Sequence, residues 1–181
     1  MVSSLRPIEI RAAKNADVII FTDGFTPDPR KNEKLADRVG GVIFDRRQMA
    51  PSQFTAVVPK HVQKKWIPRK TQIVLVEMVA PLIALETFKD RLFGADIILL
   101  IDSEAVEAAL VKGYSSKEDL CELISVFWNQ VFDLQARVLS IDLLLMPIRL
   151  IGPPGIISRS VKRPVGNLFK QFGRPPCSPS E

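Results

Sequence analysis

The chain has 181 residues, 46% of them hydrophobic and 25% charged, which suits one cored domain or one domain with an appendage. No run reaches the roughly 18 uncharged apolar residues of a membrane span, the start lacks the apolar core of a secretory leader, and Cys121 and Cys177 are too few and too far apart for a disulfide framework or a zinc site. The net charge of +5 falls entirely within residues 143–181, which carry Arg149, Arg159, Lys162, Arg163, Lys170 and Arg174 against Glu181 alone, and which hold half of the 14 prolines.

Residues 1–15 read as an N-terminal extension. "ADVIIFTDGF" (16–25) is a continuous β-branched and aromatic run ended by Asp-Gly, expected to be a strand buried on both faces. "VGGVIFD" (39–45) predicts a second strand, with Gly40 and Gly41 marking a bulge. "QFTAVVP" (53–59) predicts a third. No long amphipathic helix fits between these three, so they are expected to be antiparallel neighbours.

The period changes at "KTQIVLVEMVAPLIALETFKDRL" (70–92), a helix with Ile73, Val76, Ala80, Ile83, Ala84 and Phe88 on its inner stripe. Glu77 lies within that stripe. Pro81 predicts a kink or irregular turn. "ADIILLID" (95–102) is a fourth strand. Ser103 is placed to cap the helix that follows, and Gly113 to stop it. Residues 116–136 form an amphipathic helix with Leu120, Leu123, Ile124, Phe127, Val131 and Leu134 inward. "RVLSID" (137–142) is a fifth strand. The order is β-β-β-α-β-α-α-β, an α/β mixed five-stranded sheet with helices packed on it.

Three carboxylates stand out. Asp23 ends the first strand, Glu77 lies on the inner stripe of the long helix, and Asp102 ends the fourth strand. If the first and fourth strands are parallel neighbours, their C-terminal ends meet where open α/β sheets place ligands. Gathered acids repel unless a cation neutralises them, and hard oxygen donors select Mg²⁺ or Mn²⁺. Two such ions support phosphodiester cleavage. Each acid also has a plainer reading: Asp23 in "TDG" as a turn residue, Asp102 as a partner of the next helix's N-terminus, and Glu77 as a surface acid if the helix is rotated slightly.

"IIFTDGF", "VGGVIFD", "FTAVVP", "QIVLVEMVAPLIALETF" and "IILLIDSEAVEAALVKGYS" together resemble the ribonuclease H domain of retroelement polyproteins, over roughly residues 16–142. "IDSEAVEAALVKG" is the most specific piece. The resemblance implies a ribonuclease H-like fold, hydrolysis of the RNA strand of RNA–DNA hybrids with two Mg²⁺ or Mn²⁺ ions, and Asp23, Glu77 and Asp102 as the first three metal-binding acids. It also implies a monomer, ancestrally fused to a reverse transcriptase; the sparse cysteines suggest a reducing interior compartment, cytoplasm or nucleus, and the lack of a long apolar run predicts no membrane partner.

The family's fourth acid, in these retroelements often within a motif similar to "NPAD-x-PSR", is not found. Asp142 comes too early to inherit the role. The family's last helix and its mobile histidine are missing too, and His61 reads as a loop residue. Read from one base earlier, codons for "LMPIRLIGPPG" can spell Asp-Ala-Asn-Pro-Ala-Asp-Trp-Pro-Ser-Arg, which contains that motif. Residues 143–181 are therefore expected to be a basic Pro-rich tail, disordered or translated out of frame, in a retroelement fragment. They are expected to pack poorly and to supply no ligand.

"KHVQKKWIPRK" (60–70) sets Lys60, Lys64, Lys65, Arg69 and Lys70 around Trp66, a pattern that suits phosphate contact with base stacking. A solvated loop with Trp66 in the core is the plainer reading. Phe127 and Trp128 read as core. Two alternatives to the nuclease remain: an inactive relic that at most binds nucleic acid, and a nucleotide-binding or phospho-receiver α/β domain. Three consecutive strands without intervening helices argue against the second.

Overall fold

The computed structural model describes residues 16–27, 35–142 and 159–160. Its elements are β1 (Val18–Phe25), β2 (Arg38–Asp45), β3 (Ser52–Val57), α1 (Lys60–Gln63), α2 (Ile73–Thr87), α3 (Lys89–Leu92), β4 (Asp96–Ile101), α4 (Glu104–Lys112), α5 (Glu118–Asp133), β5 (Arg137–Asp142) and β6 (Arg159–Ser160). They form one sheet in the order β5-β4-β1-β2-β3-β6. β1–β2 and β2–β3 are antiparallel, while β1–β4, β4–β5 and β3–β6 are parallel. The mixed α/β architecture is the one expected, with the two-residue β6 added at the edge.

One face of this sheet is the core. Val18, Ile20 and Thr22 of β1, Val39 and Ile43 of β2, and Ile97, Leu99 and Ile101 of β4 are all buried. α2 packs on β1 and β2, α4 on β4 and β5, and α2 also packs on α4 and α5, so the three long helices share that face. α2 is apolar nearly all round, as befits a central helix: Leu75, Val76 and every residue from Met78 to Leu85 are buried. This is broader than the single stripe expected, and Ile73 lies only at its margin. The helix runs on through Pro81 without interruption.

Four further expectations need correction. β1 does not stop at Asp23 but continues through Gly24 and Phe25, because β2 still pairs with it there. Gly40 and Gly41 form no bulge; they stay in register opposite Asp23 and Thr22. Gly41 instead makes room, since a β-carbon there would lie 2.6 Å from the Phe54 ring and 2.5 Å from the Phe21 carbonyl oxygen. His61 sits in the short helix α1, not in a loop. Trp128 is 39% exposed, although Phe127 against its edge is core.

Gly113 ends α4 as anticipated, at φ 75°, with its amide donating to the Ala109 and Leu110 carbonyls. Of the tail, only residues 159–160 are described, and what was expected of residues 143–158 and 161–181 lies outside the described residues.

Candidate metal and nucleic-acid site

Asp23 follows the last β1 residue that pairs with β4, Thr22 opposite Ile101, and Asp102 follows Ile101 directly. Register therefore brings the two acids to the same edge on adjacent strands. Both are exposed. Strand alternation turns Asp23 away from the face that Thr22 buries. Glu77 approaches from that buried face. Its backbone rests over Gly24, where a β-carbon would come within 2.7 Å of the Glu77 nitrogen and 2.8 Å of its Cα. The site thus straddles the sheet edge, and the glycine after Asp23 is what lets the helix come so close.

The electrostatics reflect this gathering. Burial pushes the Glu77 carboxyl above its ordinary range, a hydrogen bond from the Ser103 hydroxyl opposes that, and the charges of Asp23 and Asp102 raise it further. Glu77 thus feels both other acids, and no cation is among the groups that act on it.

Ser103 is itself a correction. It occupies the N-cap position of α4 but makes no side-chain cap bond. Its buried hydroxyl serves Glu77 instead. Sequence alone could not separate the two uses, because an N-cap serine and a serine aimed at a neighbouring helix have the same local pattern.

Three hard-oxygen donors in an uncompensated negative cluster fit a divalent cation by chemistry. As the side chains stand, no group of three His, Cys, Asp or Glu among the described residues closes on one ion. Asp142, left without a role in the sequence, pairs through its backbone with Ile101 at the same sheet edge.

The basic stretch leaves from this edge as well. Val57, at the end of β3, is level with Arg38 and, across β2, with Phe25. The chain passes from there into α1. Lys60, Lys64, Lys65 and Lys70 are exposed. Trp66 does not present a stacking face: it is 7% exposed and belongs to the core. Apolar burial outweighs stacking for a ring that the short helix folds inward.

Arg69 is engaged too. It grips Asp119 of α5 with both Nη atoms, and the Ile67 amide donates to the same carboxylate at 3.0 Å. Burial would push the Asp119 carboxyl up, but the bonds from Arg69 and from the Ile67 and Leu120 amides hold it below the usual range. Beside this pair, Arg69, Thr71, Gln72, Lys117 and three apolar residues line a cleft of about 180 Å³. It lies between the starts of α2 and α5, and neither helix has a side-chain cap.

Among the described residues no helix is long and apolar enough to cross a membrane. No protein-family model and no curated protein matches the chain. Solved structures similar to it include RNase H1 from the halophilic archaeon Halobacterium salinarum NRC-1, at 19% identity and TM-score 0.49, covering 70% of this chain and 86% of that one. LC11-RNase H1 in complex with an RNA/DNA hybrid has 19% identity and TM-score 0.48, covering 73% and 86%. The prototype foamy virus protease-reverse transcriptase has 12% identity and TM-score 0.43, covering 78% of this chain and 19% of that one.

Proposed function

We propose that residues 16–142 form a ribonuclease H-like nuclease domain of retroelement type that hydrolyses the RNA strand of RNA–DNA hybrids with two divalent ions, Mg²⁺ or Mn²⁺. The observation that carries this reading is the meeting of Asp23, Glu77 and Asp102 around one strand edge, with burial and two like charges bearing on Glu77. Bound there, divalent ions would supply an activated water and stabilise the leaving oxygen. The chain's own part is positional. Asp23 and Asp102 supply exposed carboxylates from rigid neighbouring strands, and the Ser103 hydroxyl orients the carboxylate of Glu77. Lys60, Lys64, Lys65 and Lys70, leaving the same edge, would meet backbone phosphates.

A second reading is a nucleic-acid-binding domain without catalysis. It follows from the sequence, in which the family's fourth acid is not found.

Incubation of the purified full chain with an RNA–DNA hybrid labelled on the RNA distinguishes the two. The nuclease reading expects Mg²⁺- or Mn²⁺-dependent cleavage that is lost in Asp102→Asn, because the amide keeps the shape and loses the charge. Binding of the hybrid without cleavage in either metal would leave the second reading standing, and cleavage that persists in a chelator would overturn the first.

A further inference from the structure

Across the three hairpin strands, one row of side chains stands at the same edge as Asp23. Phe25 pairs with Arg38, and Arg38 with Val57. Directly opposed residues share a face, and Phe25 shares its face with Asp23, two positions back. This face is turned away from the long helices, since Thr22, Val39 and Phe54, which alternate with these residues, are buried. All three members of the row are open to solvent. Phe25 is 46% and Val57 50% exposed, and Arg38 is exposed between them.

The row next inward is Asp23, Gly40 and Thr55. Gly40 leaves no side chain between Asp23 and Thr55, both of which are exposed. A shallow step thus runs beside Asp23, with the outer row about 7 Å along the strands. Arg38 is the only basic residue in β1, β2 or β3, and no ion pair among the described residues uses it.

The row has the chemistry of a nucleic-acid backbone. An anionic strand brought to Asp23 is repelled by the acids unless cations meet it. Arg38 stands diagonally across from Asp23, at the roughly 7–8 Å of such neighbours, where its long side chain can take a phosphate beside the one at the acids. Phe25 and Val57 flank it with apolar surface, and an aromatic ring accepts any base on its face. From Phe25 to Val57 the row spans two strand steps, roughly 10 Å, or about three nucleotide rises of roughly 3.4 Å each. It is also continuous with the basic stretch, since the chain leaves Val57 and reaches the exposed Lys60 three residues later.

We infer that Phe25, Arg38 and Val57 form a contact track for one nucleic-acid strand between Asp23 and Lys60, with Arg38 on a phosphate and Phe25 against a base. The inference rests on the reading of the three acids as a nucleic-acid site. It adds where the strand lies, across the hairpin strands on the side of Asp23 that faces away from the helices.

The test is fluorescence anisotropy of a labelled RNA–DNA hybrid with the full chain in a chelator, so that no metal-dependent cleavage intervenes, from about 50 to 200 mM salt. Arg38→Ala should weaken binding severalfold at low salt and reduce the salt slope by roughly 0.7–0.9, as expected for one phosphate, and Arg38→Lys should restore the slope. Phe25→Ala should weaken binding about fivefold or more at every salt concentration and leave the slope unchanged. Phe25→Leu, used if Phe25→Ala fails to fold in a thermal melt, should also weaken binding. Arg46→Ala removes the same charge beyond the opposite end of β2 and should change binding little. Binding that ignores Arg38→Ala or the Phe25 variants, a loss in Arg46→Ala equal to that in Arg38→Ala, or no binding of the hybrid at all overturns the inference. Cleavage is scored separately. A chain that binds through this row yet cleaves in neither Mg²⁺ nor Mn²⁺ defeats the nuclease reading and leaves the track standing, whereas cleavage with binding indifferent to the row defeats the track alone.

Discussion

Gly24 of β1 lies beneath the backbone of Glu77 in α2, so close that a β-carbon at position 24 would stand 3.0 Å from the Glu77 Cγ and nearer still to its main chain. Backbone atoms cannot swing aside as a side-chain tip can. Gly24→Ala is therefore expected to lift α2 from the strand, at a cost of about 1–3 kcal/mol for overpacking. Urea unfolding measures the loss. Hybrid cleavage should fall further than the loss of folded protein accounts for, because Glu77 moves with the helix.

Glu77→Gln should stabilise the metal-free domain at neutral pH. The folded carboxyl has a raised pKa, so the folded state holds its proton more tightly than the unfolded chain does. Stability contributed by this group is then highest below the ordinary glutamate value of about 4.3 and falls as pH rises through the folded value. Removing the charge removes that fall. Mn²⁺ at a hundredfold excess over its Kd should stabilise the native chain by about 2.7 kcal/mol and the variant by less. Thermal melts with and without Mn²⁺, at pH 4 and pH 7.5, check both statements.

Asp119 titrates in the opposite sense. Its folded pKa lies below the ordinary aspartate value, so its stabilisation is complete above about 3.9 and is lost as pH falls through the folded value. Asp45 behaves likewise: burial would raise it, but Arg47 and Arg91 hold it down. Asp119→Asn should lower the melting midpoint at pH 7 and flatten the acid limb of the stability profile. An acid limb as steep as that of the native chain would refute the assignment.

Trp66→Ala should cost about 3–5 kcal/mol of stability, the usual range for truncating a buried aromatic. By contrast, Lys60→Ala, Lys64→Ala and Lys70→Ala should each leave the melting midpoint nearly unchanged. Each should weaken hybrid binding and reduce the salt slope by roughly 0.7–0.9 for every phosphate that is no longer neutralised. Binding titrations from low to moderate salt separate the two classes.

The placement of Asp23 and Asp102 was legible because both follow continuous apolar runs, and parallel pairing of those runs fixes where the acids lie. Glu77 stood out as a candidate because an acid on an apolar helical stripe is costly without a purpose. Gly24 did not: in "TDG" it reads as a turn residue, and only the tertiary approach of α2 gives it another role. Ser103 failed for a related reason, since the partner that takes its hydroxyl lies on a distant helix. Trp66 was ambiguous because basic neighbours surround it whether its ring faces outward or inward. The position of β6 beside β3 could not be read at all, since a two-residue strand leaves no periodicity.

Among the described strands, β2 alone runs against the others, and this gives assembly an order. β1, β2 and β3 follow one another in the chain and pair as consecutive hairpins. β1 meets its other neighbour, β4, only after the whole of α2 has been traversed, and that larger loop is closed at a greater entropic cost. Asp23 is thus laid down in an early hairpin, while Asp102 joins it late. A half-folded chain carries the hairpins without the charge cluster, and the mutual repulsion of the acids arises only when most of the apolar burial is already in place to oppose it. Pulsed amide exchange during refolding should accordingly show β2 and β3 protected before β4 and β5.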